Sequence, residues 1–369
     1  MKKIIAITIA IMMAMPSHPA HALRPMPYDV SAKAKYTLEE IDDELLARYN
    51  LQAALSLVKN YDTFTAKQRR DLAALLEDLF KRALPYFEQG AKSNPMSHNT
   101  QALNNMVKIA IGEEFSYRKF TVACIAALLH DVGNAFCTKR KVTPAEIYRE
   151  LSAGNIDKVK ALVEEVNAYR IEHMEKGAEL LEIFLKPLIE ADIISAKDVT
   201  DICSVVRVHD YPYIERFLRD LYEHRAAVDY VPGAYLFRFG ESQASWLMEA
   251  LRDADRLYMM TYQGVVKDLI FDNQPVTPEN IMRQLQINIK IHIDEFVLYQ
   301  EAAMDDGGFM AHTSYRTPTA YHIFKSATTD TEQAILKSSG DFANPPKSIL
   351  AAGICYPSEL LCIGINAAA

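Results

Sequence analysis

The sequence predicts an all-α protein, and three observations lead to that prediction. Helix-breaking residues are few, because the 369 residues include only 13 glycines and 16 prolines, and long windows contain neither. Apolar residues recur at intervals of three and four positions, which places them on one face of a helix. Half of the residues are hydrophobic, so a chain of this length can bury one large core or two modest ones.

Residues 1–22 have the features of a signal peptide. Lys2 and Lys3 precede a short apolar run, and Ala20-His21-Ala22 has the small-x-small form of a cleavage site. The apolar run is shorter than the roughly 20 residues that a transmembrane helix needs, and no later run reaches that length. We therefore expect a protein without a membrane anchor that is exported to a bacterial periplasm.

Residues 23–92 are expected to form an N-terminal helical cap. Leu45 and Leu51 in its first half, and Leu72, Leu76 and Leu79 in its second half, follow the spacing of amphipathic helices. No residue pattern in this segment indicates chemistry. Its charged positions are those of a solvated helix face.

The most informative stretch lies at His130 and Asp131. An apolar helical run, from Ile125 to Leu129, delivers these two side chains next to each other and then breaks at Gly133. A buried carboxylate beside a buried imidazole is costly unless both are paired or bind a cation. Adjacent helix positions differ by about 100° in direction, so the two side chains can flank one metal ion, or the aspartate can bridge two.

Other residues of metal-ligand type follow at helix-sized intervals. His98 lies in the opening turns of a helix after Asn94-Pro95, and His209 lies near a helix end before Pro212. His173 has Gly177 one turn later on the same face, where a missing side chain lets another segment approach closely. The pair Asp253 and Asp255 completes this set of candidates. These two carboxylates are about 200° apart on a helix, so at most one can point into a given site.

Charge and cysteine content exclude other classes of protein. The net charge is −8, and no basic block offsets it, which argues against a nucleic-acid polymer as partner. Five cysteines without a C-x-x-C pair indicate neither a disulfide scaffold nor a zinc ribbon. We expect none of them to be catalytic.

In order along the chain, His98, His130-Asp131, His173, His209 and the run from Asp253 to Leu257 resemble the signature of the HD-domain superfamily of metal-dependent phosphohydrolases. The resemblance covers roughly residues 95–265. In that superfamily the final aspartate usually precedes a basic and an apolar residue, which matches Asp255-Arg256-Leu257. The resemblance therefore implies that Asp255 is the ligand and that Asp253 supports the site or lies on a helix face.

The resemblance also implies a fold and a cofactor. We expect an HD-type metal-binding helical bundle at residues 93–300, with additional N-terminal helices and an irregular C-terminal segment at residues 301–369. His98, His130, Asp131 and Asp255 would hold one divalent metal ion. His173 and His209, with Asp131 bridging, would hold a second. Nitrogen and carboxylate ligands of this kind fit Fe, Mn, Zn, Ni or Co.

The implied function is hydrolysis of a phosphoester or phosphoanhydride in a small phosphorylated metabolite or nucleotide. A metal-bound hydroxide would attack phosphorus, and positive groups would offset the charge that develops on the phosphate oxygens. The expected catalytic residues are Asp131 with Lys176 and Arg252. An ordinary surface or packing role is equally open for Lys176 and Arg252.

The sequence departs from the superfamily pattern at two places, and these departures bear on the predicted function. Asn134 stands where many HD hydrolases have lysine, and the stretch from His209 to Pro212 lacks the paired histidines and the Gly-Tyr-Pro loop of cyclic-dinucleotide phosphodiesterases. The same ligand pattern also serves mixed-valent di-iron oxygenases, which are the main alternative. A third alternative is an exported metal-binding protein without catalytic activity.

The segment from Pro278 to Val297 is expected to continue as a helix. Its alternation from Ile287 to Ile293 would also suit a strand. His292 interrupts this run, and it can be a further metal or substrate residue or a core histidine.

Overall fold

A computed structural model of the chain describes residues 43–90, 95–139, 142, 144–223, 245–271, 274–301 and 314–326. Every regular element in these ranges is helical, and none of the described residues lies in a strand. The predicted all-α class is therefore confirmed. The signal peptide predicted at residues 1–22 lies outside the described residues.

The first half of the chain contributes four long helices and a short turn. They are α1 Asp43–Asn60, α2 Ala66–Gly90, α3 Met96–Gly112, α4 Tyr117–Leu129 and a 3-10 turn at Val132–Phe136. The following helices are α5 Pro144–Ser152, α6 Ile156–Phe184, α7 Lys186–Glu190, α8 Ala196–Val206 and α9 Tyr211–Glu223. The remaining ones are α10 Ser245–Tyr258, α11 Tyr262–Phe271, α12 Pro278–Glu301 and α13 at residues 318–326. Among the described helices, none combines the length and the apolar character that crossing a membrane requires.

The chain divides into two compact units. The larger one comprises Asp43–Tyr258 and Ile291–Tyr321, and it contains all the residues of the predicted metal site. The described part of the smaller unit comprises residues 259–271, 274–290 and 322–326. In the smaller unit, the Asn288 amide donates hydrogen bonds to the Met259 carbonyl at 2.8 Å and to the Asp268 carboxylate at 3.3 Å, which ties α12 to α11 and to the residues before it.

Helix α3 is buried over most of its length and packs against α1, α4 and α10. It begins after Pro95, whose extended backbone stops a helix from starting earlier. The Asp43 carboxylate at the start of α1 accepts hydrogen bonds from the backbone N–H groups of Met96 and Ser97, at 2.6 and 3.2 Å. A carboxylate at this position satisfies free helix donors and complements the helix dipole. It thereby fixes the turn that carries His98.

Helix α4 is a core helix. All of its residues from Phe120 to Leu129 are buried, as its apolar sequence predicts. The Ser116 side chain caps its N-terminus by accepting a hydrogen bond from the Lys119 backbone. The rigid, buried helix places the residues that follow Leu129 in the interior of the larger unit.

Two features of the C-terminal part resolve or change the sequence expectations. The alternating stretch in α12 is helical, because burial follows intervals of three and four residues: Leu285 and Ile289 are buried, whereas Ile287 is exposed. The segment expected to be irregular after residue 301 contains α13. Thr319 at the start of α13 donates hydrogen bonds from its backbone N–H and its hydroxyl to the Glu113 carboxylate, at 2.9 and 2.6 Å.

Candidate metal centre

The end of α4 delivers His130 and Asp131 to the centre of the site. The His130 side chain is fully buried, and its Nδ1 lies 2.9 Å from the Ala127 carbonyl oxygen. Because a carbonyl only accepts hydrogen bonds, we assign a proton to Nδ1. In the neutral ring, Nε2 then carries a lone pair that is directed at the neighbouring side chains.

His209 repeats this arrangement beyond the end of α8. Its Nδ1 donates to the Val206 carbonyl at 2.8 Å, and its side chain is buried. His98 comes from the first turn of α3, and His173 comes from the middle of α6. Four helical segments therefore bring four buried imidazoles together.

His98, His130 and Asp131 form the first group of potential ligand atoms, and Asp255 lies beside this group. His98 Nε2 lies 3.2 Å from His130 Nε2, 3.0 Å from Asp255 Oδ1 and 3.4 Å from Asp131 Oδ2. His130 Nε2 lies 3.5 Å from the same two carboxylate oxygens. Atoms that bind one ion at about 2.1 Å are about 3 to 3.5 Å apart. The group is therefore compatible with one metal ion.

The second group shares Asp131 with the first. Asp131 Oδ1 lies 3.4 Å from His173 Nε2 and 3.4 Å from His209 Nε2. The two histidine nitrogens are 3.5 Å apart. Asp131 thus presents Oδ2 to one pair of histidines and Oδ1 to the other. The geometry yields two candidate ligand groups that meet at one carboxylate.

Electrostatic attraction between the imidazoles and the carboxylates shifts the pKa values of the cluster residues. Burial alone would lower the pKa of His130, but the Asp131 and Asp255 carboxylates raise it to about 9. Burial also opposes ionisation of both carboxylates, yet the surrounding imidazoles hold the pKa of each well below its usual range. The pKa of His209 is raised, because its hydrogen bond to Asp131 outweighs burial. A cation that enters the cluster would take the place of these protons.

The two aspartates of α10 point in different directions. Asp255 contacts His98, as described above, whereas Asp253 is completely buried elsewhere. The Asp253 carboxylate accepts hydrogen bonds from the backbone N–H of Arg316 at 3.0 Å and from the backbone N–H and hydroxyl of Thr317, each at 2.8 Å. Burial raises the pKa of Asp253 to about 7 despite these donors. Asp253 therefore anchors the segment that precedes α13.

Asp210 and Arg170 lie directly beside the second group. Asp210 Oδ2 is 3.5 Å from His173 Nε2 and forms an ion pair with Arg170. Burial raises the pKa of Asp210, but the Arg170 charge outweighs it and lowers the pKa to about 2. Asp210 belongs to neither candidate ligand group, and its ion pair with Arg170 holds it beside His173. Sequence reasoning missed Arg170, although it precedes His173 by one turn on the same helix face.

The two basic residues that the sequence singled out have other partners. The Lys176 side chain is 45% exposed, and its ammonium group pairs with Glu179 at 2.8 Å. The Arg252 guanidinium is buried and pairs with Glu295. Neither of these two ion pairs is part of the histidine cluster. Contact with a phosphate group stays a prediction for both residues.

Asn134 holds the turn after Asp131. Its side-chain amide donates to the Asp131 backbone carbonyl at 3.0 Å and accepts a hydrogen bond from the Tyr169 hydroxyl. The ring of Tyr169 in turn stacks on His173, with 5.7 Å between the ring centroids. Asn134 therefore connects the turn that carries Asp131 with α6, which carries His173.

The remaining candidates lie outside the cluster. His292 is buried between Ser314, at 2.9 Å from its Nδ1, and Tyr315, at 3.2 Å from its Nε2. Burial lowers the pKa of His292 to about 3, so it is a neutral core residue. Cys124 and Cys203 are buried, and burial raises the pKa of both thiols. Among the described residues, neither ligand group includes a cysteine.

Comparison of the chain with protein-family models, curated proteins and solved structures found no match. The interpretation of the histidine and aspartate cluster therefore depends on its own geometry and on the pattern of the sequence.

Proposed function

We propose that this chain is an HD-type metal-dependent phosphohydrolase. It would cleave a phosphoester or phosphoanhydride in a small phosphorylated metabolite or nucleotide. The observation that supports this most directly is the division of Asp131, which presents one oxygen to each pair of histidines. Two adjacent cation sites bridged by a carboxylate suit a reaction in which charge develops on several phosphate oxygens.

The donor set fits a pair of divalent cations. His98, His130, Asp131 and Asp255 would hold one ion, and His173, His209 and Asp131 the other. Nitrogen and carboxylate donors without thiolate suit Fe, Mn, Zn, Ni or Co. When bound, the two ions would supply positive charge to the phosphate oxygens and would lower the pKa of water from about 15.7 towards 7.

The protein's own groups prepare the site before any ion binds. The Ala127 and Val206 carbonyls hold the His130 and His209 rings with Nε2 facing inwards, which is how backbone contacts orient metal-ligating histidines. Lys176 would have to break its ion pair with Glu179 in order to contact a phosphate group. Arg252 is buried with Glu295, so we propose that it positions α10, which carries Asp255.

Export is part of the proposal because the sequence of residues 1–22 supports it. A hydrolase that acts on small phosphorylated compounds outside the cytoplasm would not need reduced iron there. An iron-dependent oxygenase with the same ligands would need it. This difference makes oxygen the most informative variable in a first experiment.

The test measures bound metal and phosphate release on the full chain, purified without added metal. A panel of sugar phosphates, nucleotides and phosphoanhydrides is assayed with and without oxygen. The proposal predicts bound transition metal and phosphate release that does not require oxygen. The Asp131→Ala variant should lose both, whereas His322→Gln, which changes an exposed histidine, should lose neither.

Two results would contradict the proposal. Oxygen consumption by an iron-containing protein that releases no phosphate would indicate the oxygenase instead. Bound metal without turnover of any compound in the panel would indicate a binding protein.

A further inference from the structure

Arg216 on α9 is a partly buried cation without a carboxylate partner among the described residues. Its Nε is buried and has no hydrogen-bond partner. Burial raises the pKa of Glu295, and the charges of Arg256 and Arg252, with smaller contributions from His292 and Arg216, lower it. Glu295, however, already pairs with Arg252 and with Arg256. A guanidinium group that is partly removed from water favours an anionic partner.

A second arginine shares an aromatic ring with Arg216. The Arg170 guanidinium carbon lies 3.5 Å from the centroid of the Tyr213 ring, and that of Arg216 lies 5.2 Å from the same centroid. Contact with an aromatic face favours a guanidinium group. It also holds the group in place without using its N–H donors. Tyr213 thus contacts both guanidinium groups.

One of these two arginines, Arg170, lies next to the candidate metal centre. Arg170 forms an ion pair with Asp210, whose Oδ2 is 3.5 Å from His173 Nε2. Among the described residues, Arg170 pairs with one carboxylate, that of Asp210, and Arg216 pairs with none. The hydrogen bond to Asp210 uses one nitrogen of Arg170, and its side chain remains 18% exposed. N–H donors of both arginines therefore remain for a ligand.

We propose that Arg170 and Arg216, held by Tyr213, form an anion-binding subsite next to the metal centre. It would take a second anionic group of a substrate whose scissile phosphate lies at the histidine and aspartate cluster. This inference rests on the proposed function and narrows it to substrates with two anionic groups. Phosphate and carboxylate share the relevant chemistry, because both present paired oxygens to the N–H fork of arginine.

The experiment uses non-hydrolysable probes, so it does not depend on turnover. Calorimetry measures the binding of three phosphonates to the metal-containing full chain: propylphosphonate, a phosphonate with a carboxylate at the far end, and a diphosphonate with the same three-carbon spacer. The spacer weakens chelation of a single ion. The wild-type protein should bind one or both of the doubly anionic probes at least tenfold more tightly than propylphosphonate. The probe that gains affinity identifies the second group as carboxylate or phosphate.

Substitution of the arginines tests where this preference originates. Loss of one charge-assisted hydrogen bond weakens binding by about tenfold. Arg216→Gln should remove that gain while leaving the affinity for propylphosphonate unchanged. Arg170→Gln should remove the gain as well, and its gain is measured relative to its own affinity for propylphosphonate because Arg170 also pairs with Asp210 beside His173. The matched control is Arg219→Gln on the same helix, where the arginine pairs with Glu223, and it should keep the gain. Binding of propylphosphonate also shows that each variant is folded.

Three results separate the possible failures. Equal affinity for all three probes overturns the second subsite and leaves the hydrolase proposal standing. A gain that persists in both arginine variants overturns the assignment to Arg170 and Arg216. Failure of the metal-containing wild-type protein to bind any of the phosphonates contradicts both proposals.

Discussion

The Gly133 backbone lies directly against the carbonyl oxygen of His173. A Cβ atom placed on Gly133 would be 1.9 Å from that oxygen and 2.4 Å from the Gly177 nitrogen. No side chain fits such a gap. The turn that carries Asp131 and the helix that carries His173 are therefore in backbone contact, and this contact sets the separation between two of the potential ligands.

Gly133→Ala should force this turn and α6 apart. We expect a loss of about 3 kcal/mol in the free energy of unfolding, because overpacking against backbone cannot be relieved by a side-chain rotation. Metal binding by the group that contains His173 should weaken in parallel. Gly154→Ala is the control, since its added Cβ meets nothing within 4 Å but its φ is +74°. That strain costs about 1 to 2 kcal/mol, and equal losses for the two variants in urea unfolding would contradict the steric argument.

The sharing of Asp131 predicts unequal effects of ligand substitutions on metal content. His98→Ala should reduce the ion held with Asp255, and His209→Ala should reduce the other one. Asp131→Ala should reduce both, because each group loses an oxygen. Elemental analysis of dialysed protein measures the stoichiometry. A full complement of metal in Asp131→Ala would rule out the shared carboxylate.

His292 should make the protein sensitive to acid. Its pKa is lowered to about 3 in the folded chain, whereas an unfolded histidine has a pKa of about 6.5. Below about pH 6.5 the unfolded state takes up a proton that the folded state does not. Stability is therefore lost as the pH falls from about 6.5 towards 3, at up to about 1.4 kcal/mol per pH unit.

His292→Gln should flatten this pH dependence even if it lowers stability at neutral pH. Urea unfolding between about pH 7 and pH 4 gives the slope of stability against pH for both proteins. His322→Gln, which changes an exposed histidine, should keep the wild-type slope. Identical slopes for wild type and His292→Gln would show that another group is responsible.

Glu295→Gln should destabilise the protein strongly. The substitution leaves the charges of Arg252 and Arg256 without their shared carboxylate, and breaking a buried ion pair costs about 3 to 5 kcal/mol. Lys176→Gln should change the melting temperature little, since the Lys176 pair is exposed. If Lys176→Gln nevertheless slows phosphate release, Lys176 contacts substrate. An unchanged rate would remove it from the site.

The helices were predictable because burial follows the three-and-four spacing of apolar residues. The same rule could not decide between helix and strand for the stretch from Ile287 to Ile293. Apolar residues alternate there, which is compatible with the period of a strand as well as with that of a helix. In the structure Ile289 is buried and Ile287 is exposed, as a helix requires. Gly177 was predicted to permit a close approach, and the approaching segment is the turn at Gly133.

The contacts that sequence could not reveal are those between distant polar residues. The stretch at residues 314–317 is rich in polar side chains and lacks periodicity, yet Asp253 binds its backbone. An arginine such as Arg170 on a helix face is indistinguishable from a solvated charge until its partner Asp210 is known. Likewise, adjacent positions show that His130 and Asp131 can share an ion, but the division of the two Asp131 oxygens requires the positions of α6 and α8.

The dispersal of the cluster over α3, α4, α6, α8 and α10 also bears on how the protein would unfold. Partly folded chains in which any one of these helices has detached lack a complete set of donors. A tightly bound ion would favour only the fully assembled chain. Escape from that state would then require ion release or rupture of several ligand bonds at once, so occupancy should lengthen the lifetime of the folded protein against proteases.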